Sequence, residues 1–330
     1  MYPVRNNSFL ELVTLSEPEN EFDISQLDFS PLGVIVSKID SQFFTDKIRL
    51  YSERENDENV FHYNYRMFNN MLEKAYKQTP YVVVPIDDIS IQEDYSDLNW
   101  MLQLPYHILQ VICPSRFYIS SQHTFQVIGE NKLHEQARVT EYLDKSFGSY
   151  PESKFHIDNI EAANELIALF QQMKNNKPFK VGLSIFLSSF DMSHYSMQFL
   201  NIIMAFESLI HGPQELSYRL KRGIAILCGG NTESCTNIFK NLSKSYNLRS
   251  KIAHGEEFDT NKINEYLPYL INLGASYLQE LLWQRVDDKE MLNSKLTQLG
   301  YGQRNQIFEG YTQKILNQLN HNLIQSYKLS

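Results

Sequence analysis

The sequence predicts an α+β chain: a mixed α/β region over residues 1–150, then an all-α helical bundle over 151–330. Three observations carry that prediction. Short β-branched or aromatic runs bounded by turn residues cluster in the first half. Apolar residues at helical spacing dominate the second half. Between the two, FGSYPESKF (147–155) gathers Gly, Pro and Ser, the composition of a boundary.

The strand signals are GVIVSKI (33–39), IRLYSE (48–53), YVVVPID (81–87) and FYISS (117–121). VFHYNYRMFNNMLEKAYKQ (60–78) spaces Phe61, Tyr65, Phe68, Leu72 and Ala75 as a helix does. A second helix is expected over WMLQLPYHILQVI (100–112), with Pro105 either kinking it or marking its first turn. The acidic stretches 17–23 and 53–58 read as solvated loops.

After the boundary the helical stripes follow one another. IDNIEAANELIALFQQMKN (157–175) aligns Ile160, Ala163, Leu166, Ile167 and Phe170. KVGLSIFLSSF (180–190) fits a strand or a short helix. SHYSMQFLNIIMAFESLI (193–210) has the seam Phe199, Ile203, Phe206 and Ile210. Pro213 is expected to open the next helix, where its missing N–H does no harm, and Gly229-Gly230 to end it. A helix capped by Asn231 or Thr232 runs through Ile238, Leu242, Tyr246 and Arg249 to His254, with Gly255 as its stop. A long helix is expected from about Asp259 to Val286, and a polar amphipathic one over 301–327. Short connections favour antiparallel neighbours in a bundle.

Composition narrows the function classes. The 330 residues are 42% hydrophobic and 21% charged, which is ordinary for a globular chain with a large core. The net charge of −9 opposes a protein coated in positive potential. Cys113, Cys228 and Cys235 form no C-x-x-C, so no zinc ribbon or redox pair is signalled, and their usage fits a reducing cytosol. MYPVRNNSFLELVTL lacks the basic start and apolar run of a signal peptide. FLNIIMAFESLI (199–210) is too short to span a membrane and contains Glu207. The expectation is a soluble cytoplasmic protein with no membrane partner, no metal and no cofactor.

Two charged residues fall on apolar seams. Arg249 follows Tyr246 by three residues and Leu242 by seven; Glu207 follows Ile203 by four and precedes Ile210 by three. Each is expensive to bury alone. Either they meet as an ion pair inside or at the lip of the bundle, or the arginine snorkels to water. Ser250 and His254 are four apart and share a face. Arg249 and His254 are five apart, about 140° around the axis, so one helix does not aim both at one point. Between 216 and 251 stand seven basic residues, Arg219, Lys221, Arg222, Lys240, Lys244, Arg249 and Lys251, against the single acid Glu233. Such a stretch attracts a polyanion such as RNA, or is simply a solvated helix face.

AFESLI (205–210), ELSYRLKRGIAILCG (215–229) and NIFKNLSKSYNLRSKIAHG (237–255) together resemble the HEPN superfamily, in its Apea-like branch, over roughly residues 155–290. Its mark, R-x-x-x-x-H, matches Arg249 to His254 with Ser250 opening the spacer; the Ala-hydrophobic-Glu-Ser turn matches Ala205–Ser208. The L-x-x-R-x-A turn matches only loosely: in LKRGIA, Arg222 stands in for the arginine, with Gly223 and Ile224 before Ala225. The resemblance implies metal-independent endoribonuclease activity of a toxin-like defence or stress effector, with RNA as partner. It assigns proton transfer to His254 and phosphate stabilisation to Arg249, with Ser250 and Glu207 supporting them. Arg222, Lys244 and Lys251 would then hold RNA. It also implies a homodimer whose two bundles share a groove, and an antitoxin or other regulatory partner. Some members are inert modules that bind RNA, nucleotide or a protein partner, and His254 before Gly255 suits a helix C-terminus without catalysis. The first 150 residues resemble no family, and carry no phosphate-binding loop or nucleophile elbow to make them the active half.

Overall fold

A computed structural model describes residues 9–16, 22–38, 79–85, 95–114, 118–128, 132–140, 156–173, 177–190, 192, 194–209, 215–286, 288–307 and 313–330. The expected strand at 48–53, the expected helix at 60–78, the boundary at 147–155 and most of the acidic stretches lie outside these residues. The described residues are mostly helical, and none of their helices is long and apolar enough to cross a membrane. Contacts divide the chain into two units, 1–106 with 116–146, and 107–115 with 147–330.

In the first unit five strands pair antiparallel in the order β2-β3-β1-β4-β5. They are β1 (Phe9–Ser16), β2 (Val34–Lys38), β3 (Thr79–Pro85), β4 (Tyr118–Ile128) and β5 (Lys132–Thr140). In β2 the side chains alternate, Val34 and Val36 buried and Ile35 exposed, and Val36 faces the buried Val83 of β3. β1 and β5 are additions to the sequence reading. KLHEQARVT (132–140) is too polar to signal a strand alone; pairing with β4 makes it one. Helix α1 (Tyr95–Ile112) starts earlier than expected, so Pro105 lies in its interior and not in its first turn.

The second unit is built from α2 (Ile160–Met173), α3 (Lys177–Ser189), α4 (Tyr195–Ser208), α5 (Leu216–Cys228), α6 (Thr232–His254), α7 (Thr260–Trp283), α8 (Lys289–Gln298) and α9 (Gln318–Ser326). The run at 180–190, ambiguous by sequence, is the helix α3 packed on α4. α5 begins at Leu216, after Glu215 in the left-handed region at φ 53°; Pro213, expected to open it, lies outside the described residues. α6 starts with a capping box, in which Asn231 accepts from the Ser234 N–H and Ser234 Oγ accepts from the Asn231 N–H. It stops at Gly255, whose φ of 67° a β-carbon would strain. Asp259 and Asp288 cap α7 and α8 by accepting from N–H groups of the first turn. α7 packs on α2, α4, α5 and α9 and forms the centre of the core.

The continuous helix expected over 301–327 is instead a short 3-10 turn at Arg304–Gln306 and the nine-residue α9. Gly302, at φ 79°, keeps residues 301–303 out of a helix, and residues 313–317 are non-helical as well. Arg304 then turns inward, where it pairs with the buried Glu280 of α7 at 3.7 Å and donates to the Leu227 carbonyl of α5 at 3.3 Å. Gln284, one turn along α7, donates to the other Glu280 oxygen at 3.0 Å. Both ions are buried, so removing one strands the other. Arg304→Met is expected to cost about 3–5 kcal/mol, and the double substitution Glu280→Met/Arg304→Met to recover most of it. Urea unfolding midpoints of the two variants measure this; equal losses would show that the pair is not what holds the 304 turn against α7.

Candidate functional site

The two seam charges meet. α4 carries Glu207 and α6 carries Arg249, and Arg249 Nη2 stands 3.6 Å from Glu207 Oε2. Their side chains are 34% and 21% exposed, which places the pair at the lip of the bundle, open to solvent but sheltered from full screening. The other Glu207 oxygen accepts a hydrogen bond of 2.9 Å from the Tyr246 hydroxyl. Tyr246 lies three residues before Arg249, so both reach α4 from one face of α6. Burial, then the charge of Glu207 and its hydrogen bond, push the Tyr246 phenol far above its ordinary range, so it remains a donor. Glu207 is thus held by two partners, and the guanidinium keeps donors to spare.

Tyr246 appears in the sequence only as a seam residue. Its hydroxyl is the part that sequence reading misses, although a tyrosine beside two seam charges is a natural polar handle. α5 adds a further layer: Lys221 Nζ lies over the rings of Phe239 and Tyr246, at 5.4 and 5.9 Å from their centroids. Tyr218 meets Phe239 edge-on at 6.0 Å.

The remaining predicted residues separate into two groups. Ser250, Lys251 and His254 are exposed on the last turns of α6. Arg222, half-buried, and Lys244, exposed, both donate to backbone carbonyls. Arg222 donates to the Leu296 and Leu299 carbonyls at the end of α8, and Lys244 to the Leu329 carbonyl. The structure therefore brings Glu207, Tyr246 and Arg249 together, leaves the imidazole of His254 accessible, and gives two of the three expected RNA-binding cations structural partners.

Among the described residues, no three His, Cys, Asp or Glu side chains are placed to hold a metal ion. A small polar cleft between α7 and α9, lined by Asn272, Ser276, Glu280, Asn320 and His321 among others, shares no residue with the Arg249 site. Comparison with family models, curated proteins and solved structures finds no match for the chain.

The pair's contribution to stability is that of a partly exposed ion pair. A double-mutant cycle with Glu207→Ala and Arg249→Ala is expected to give a coupling energy of about 0.5–1 kcal/mol. Tyr246→Phe is expected to cost about 1 kcal/mol by removing the donor to Glu207. Thermal or urea unfolding of the four proteins in the cycle reads the coupling directly, and a value of zero would remove Glu207 as the group that positions Arg249.

Proposed function

We propose that the chain is a metal-independent endoribonuclease of HEPN type, cytoplasmic and toxin-like. In this reading it is an α+β protein whose mixed α/β N-terminal region directs or gates a helical bundle that acts on RNA as a homodimer. The observation that carries the reading is the end of α6: a guanidinium held by Glu207 at 3.6 Å, and five residues further an exposed imidazole.

The chemistry needs few groups. The substrate's 2′-OH attacks the adjacent phosphorus; the new P–O bond forms, the hydroxyl proton passes to His254, and the P–O5′ bond breaks. The departing 5′ oxygen takes a proton from the imidazole of a second copy. The products end in a 2′,3′-cyclic phosphate and a 5′-OH. Arg249 offers its remaining N–H donors to the charge that builds on the phosphorane oxygens. Glu207 and Tyr246 keep that guanidinium in place, and Ser250 and Lys251, exposed beside it, orient and attract the strand. Arg222 and Lys244 add to the local field but have given donors to carbonyls. Because about 140° of helix separates Arg249 from His254, a groove shared by two copies supplies one site with both. A regulatory partner such as an antitoxin would cover that groove.

One observation favours a second reading, a non-catalytic module that binds RNA, nucleotide or a partner protein. Lys251 and His254 fill the last turn of α6 before Gly255, where basic side chains complement the carbonyl end of a helix without any reaction.

Incubating RNA with the wild type, His254→Ala and Arg249→Ala in EDTA separates the two. Wild-type cleavage to cyclic-phosphate ends, with each variant slower by about a hundredfold or more, supports the enzyme. Three equally inactive proteins, or three equally active ones, leave the binding module.

A further inference from the structure

Tyr218, in the outer layer that α5 adds to the site, has no role in the chemistry above, yet it is 52% exposed, more than any other large apolar or aromatic side chain of α4, α5 or α6. α5 buries Leu220, Ile224 and Leu227, and Tyr218 stands off that stripe. Its ring is not loose: Phe239 of α6 supports it edge-on at 6.0 Å. Lys221, one turn along α5, lies 5.4 Å from the centroid of the same Phe239 ring and 5.9 Å from that of Tyr246. Tyr246 in turn holds Glu207, and Glu207 holds Arg249. An unbroken series of contacts therefore runs from an exposed aromatic face to the guanidinium.

Glu207 is the acid of the series and is held by Tyr246 and Arg249; the charges nearest Tyr218 and Phe239 within α5 and α6 are basic. Arg219 and Lys221 flank Tyr218 on α5, half-exposed, and Lys240 adjoins Phe239 on α6, exposed. A rigid π-face among cations is what a single-stranded nucleic acid offers a match for: unstacked bases on a negative backbone. Duplex RNA keeps its bases stacked and gains nothing from such a face. From Phe239 to Arg249 is ten residues of helix, about 15 Å at 1.5 Å per residue. The face and the guanidinium therefore serve different nucleotides of one strand.

We infer that Tyr218, supported by Phe239 and flanked by Arg219 and Lys221, is a base-stacking platform that makes the site selective for single-stranded RNA. The inference rests on the RNA reading of the Arg249 site and adds to it a substrate class and a residue that touches the substrate.

The test uses a short, unstructured, fluorescently labelled 2′-O-methyl oligoribonucleotide. It lacks the 2′-OH that attacks, so binding is read without cleavage. In fluorescence anisotropy at low salt the wild type is expected to bind it. Tyr218→Ala is expected to weaken binding by about five- to tenfold or more, and Tyr218→Phe, which keeps the π-face, to restore it. An abasic strand of equal charge, and a duplex, are expected to bind the wild type and Tyr218→Ala alike. That readout would not move if Tyr218 only supported the fold. In Tyr218→Trp, stacking is expected to quench emission with the base-bearing strand and not with the abasic one, which serves should the alanine variant melt early.

If the wild type binds the oligomer and Tyr218→Ala binds it as tightly, or Tyr218→Trp shows no base-dependent quenching, the platform is wrong while the RNA reading stands. If the wild type binds no RNA at all, the RNA reading fails and the platform with it.

Discussion

Helix α7 is buried over most of its circumference, and that constraint orders the second unit. Sixteen of its 24 residues are buried, where an ordinary surface helix buries one stripe. A helix covered on every side dictates where its neighbours lie, and α2, α4, α5 and α9 all pack against it. The fit is close. A β-carbon on Gly274 would come within 2.6 Å of the Phe186 ring of α3, and Phe206 of α4 meets Tyr277 edge-on at 6.1 Å. The polar groups that α7 takes inside need partners of their own. The Asn272 amide donates to the Pro268 carbonyl at 2.9 Å, and Glu280 has Arg304 and Gln284.

The candidate site inherits its geometry from that core. Phe206 points into the bundle against α7, so the next residue, Glu207, is turned to the rim. On α6 the buried stripe Ile238, Leu242, Ser245 and Leu248 fixes the rotation of the helix, and Tyr246 and Arg249, each one position beyond a buried residue, face α4 from its edge. Two hydrophobic choices, made far from any chemistry, therefore set a carboxylate opposite a guanidinium and a phenol. The last turn of α6 runs past this contact into solvent, which is why Ser250, Lys251 and His254 are exposed while Arg249 is held.

Much of the helical half is legible in the sequence because each helix carries its own punctuation. Asn231, Asp259 and Gly255 mark ends that propensity alone leaves vague. By sequence the Glu207–Arg249 contact stands open between two readings, and a seam position on each helix is enough to pose the question. What escaped has a common cause: it depends on partners distant in sequence. The 301–327 run has helical spacing, but Arg304 finds a buried carboxylate on α7, and that interaction outweighs the helix. α8 carries little apolar periodicity in KEMLNSKLTQ and is set by the Asp288 cap and by Leu292 and Leu296 in the core. β5 is made by β4. Tyr246 looked like packing because its ring is packing; only its hydroxyl belongs to the site.

The cations show the same dependence. Counted along 216–251, the basic residues read as one strip, but the fold spends long basic side chains on helix ends. Lys289 donates to the Ser208 carbonyl at the end of α4, Arg304 to Leu227 and Cys228 at the end of α5, and Arg222 to Leu296 and Leu299 at the end of α8. Such carbonyls have no partner within their own helix, so a charged donor from another element both satisfies them and fixes the angle between the two. Arg222 and Lys244 are therefore architectural before they are anything else. Of the other cations, Arg219 and Lys221 on α5 are half-exposed and Lys240 and Lys251 on α6 are exposed, as Lys244 is, and α5 and α6 are the two helices that the Phe239 and Tyr246 contacts hold side by side. On a chain of net charge −9, the band between Tyr218 and Arg249 gathers cations around Glu207, the one acid that Tyr246 and Arg249 hold within it.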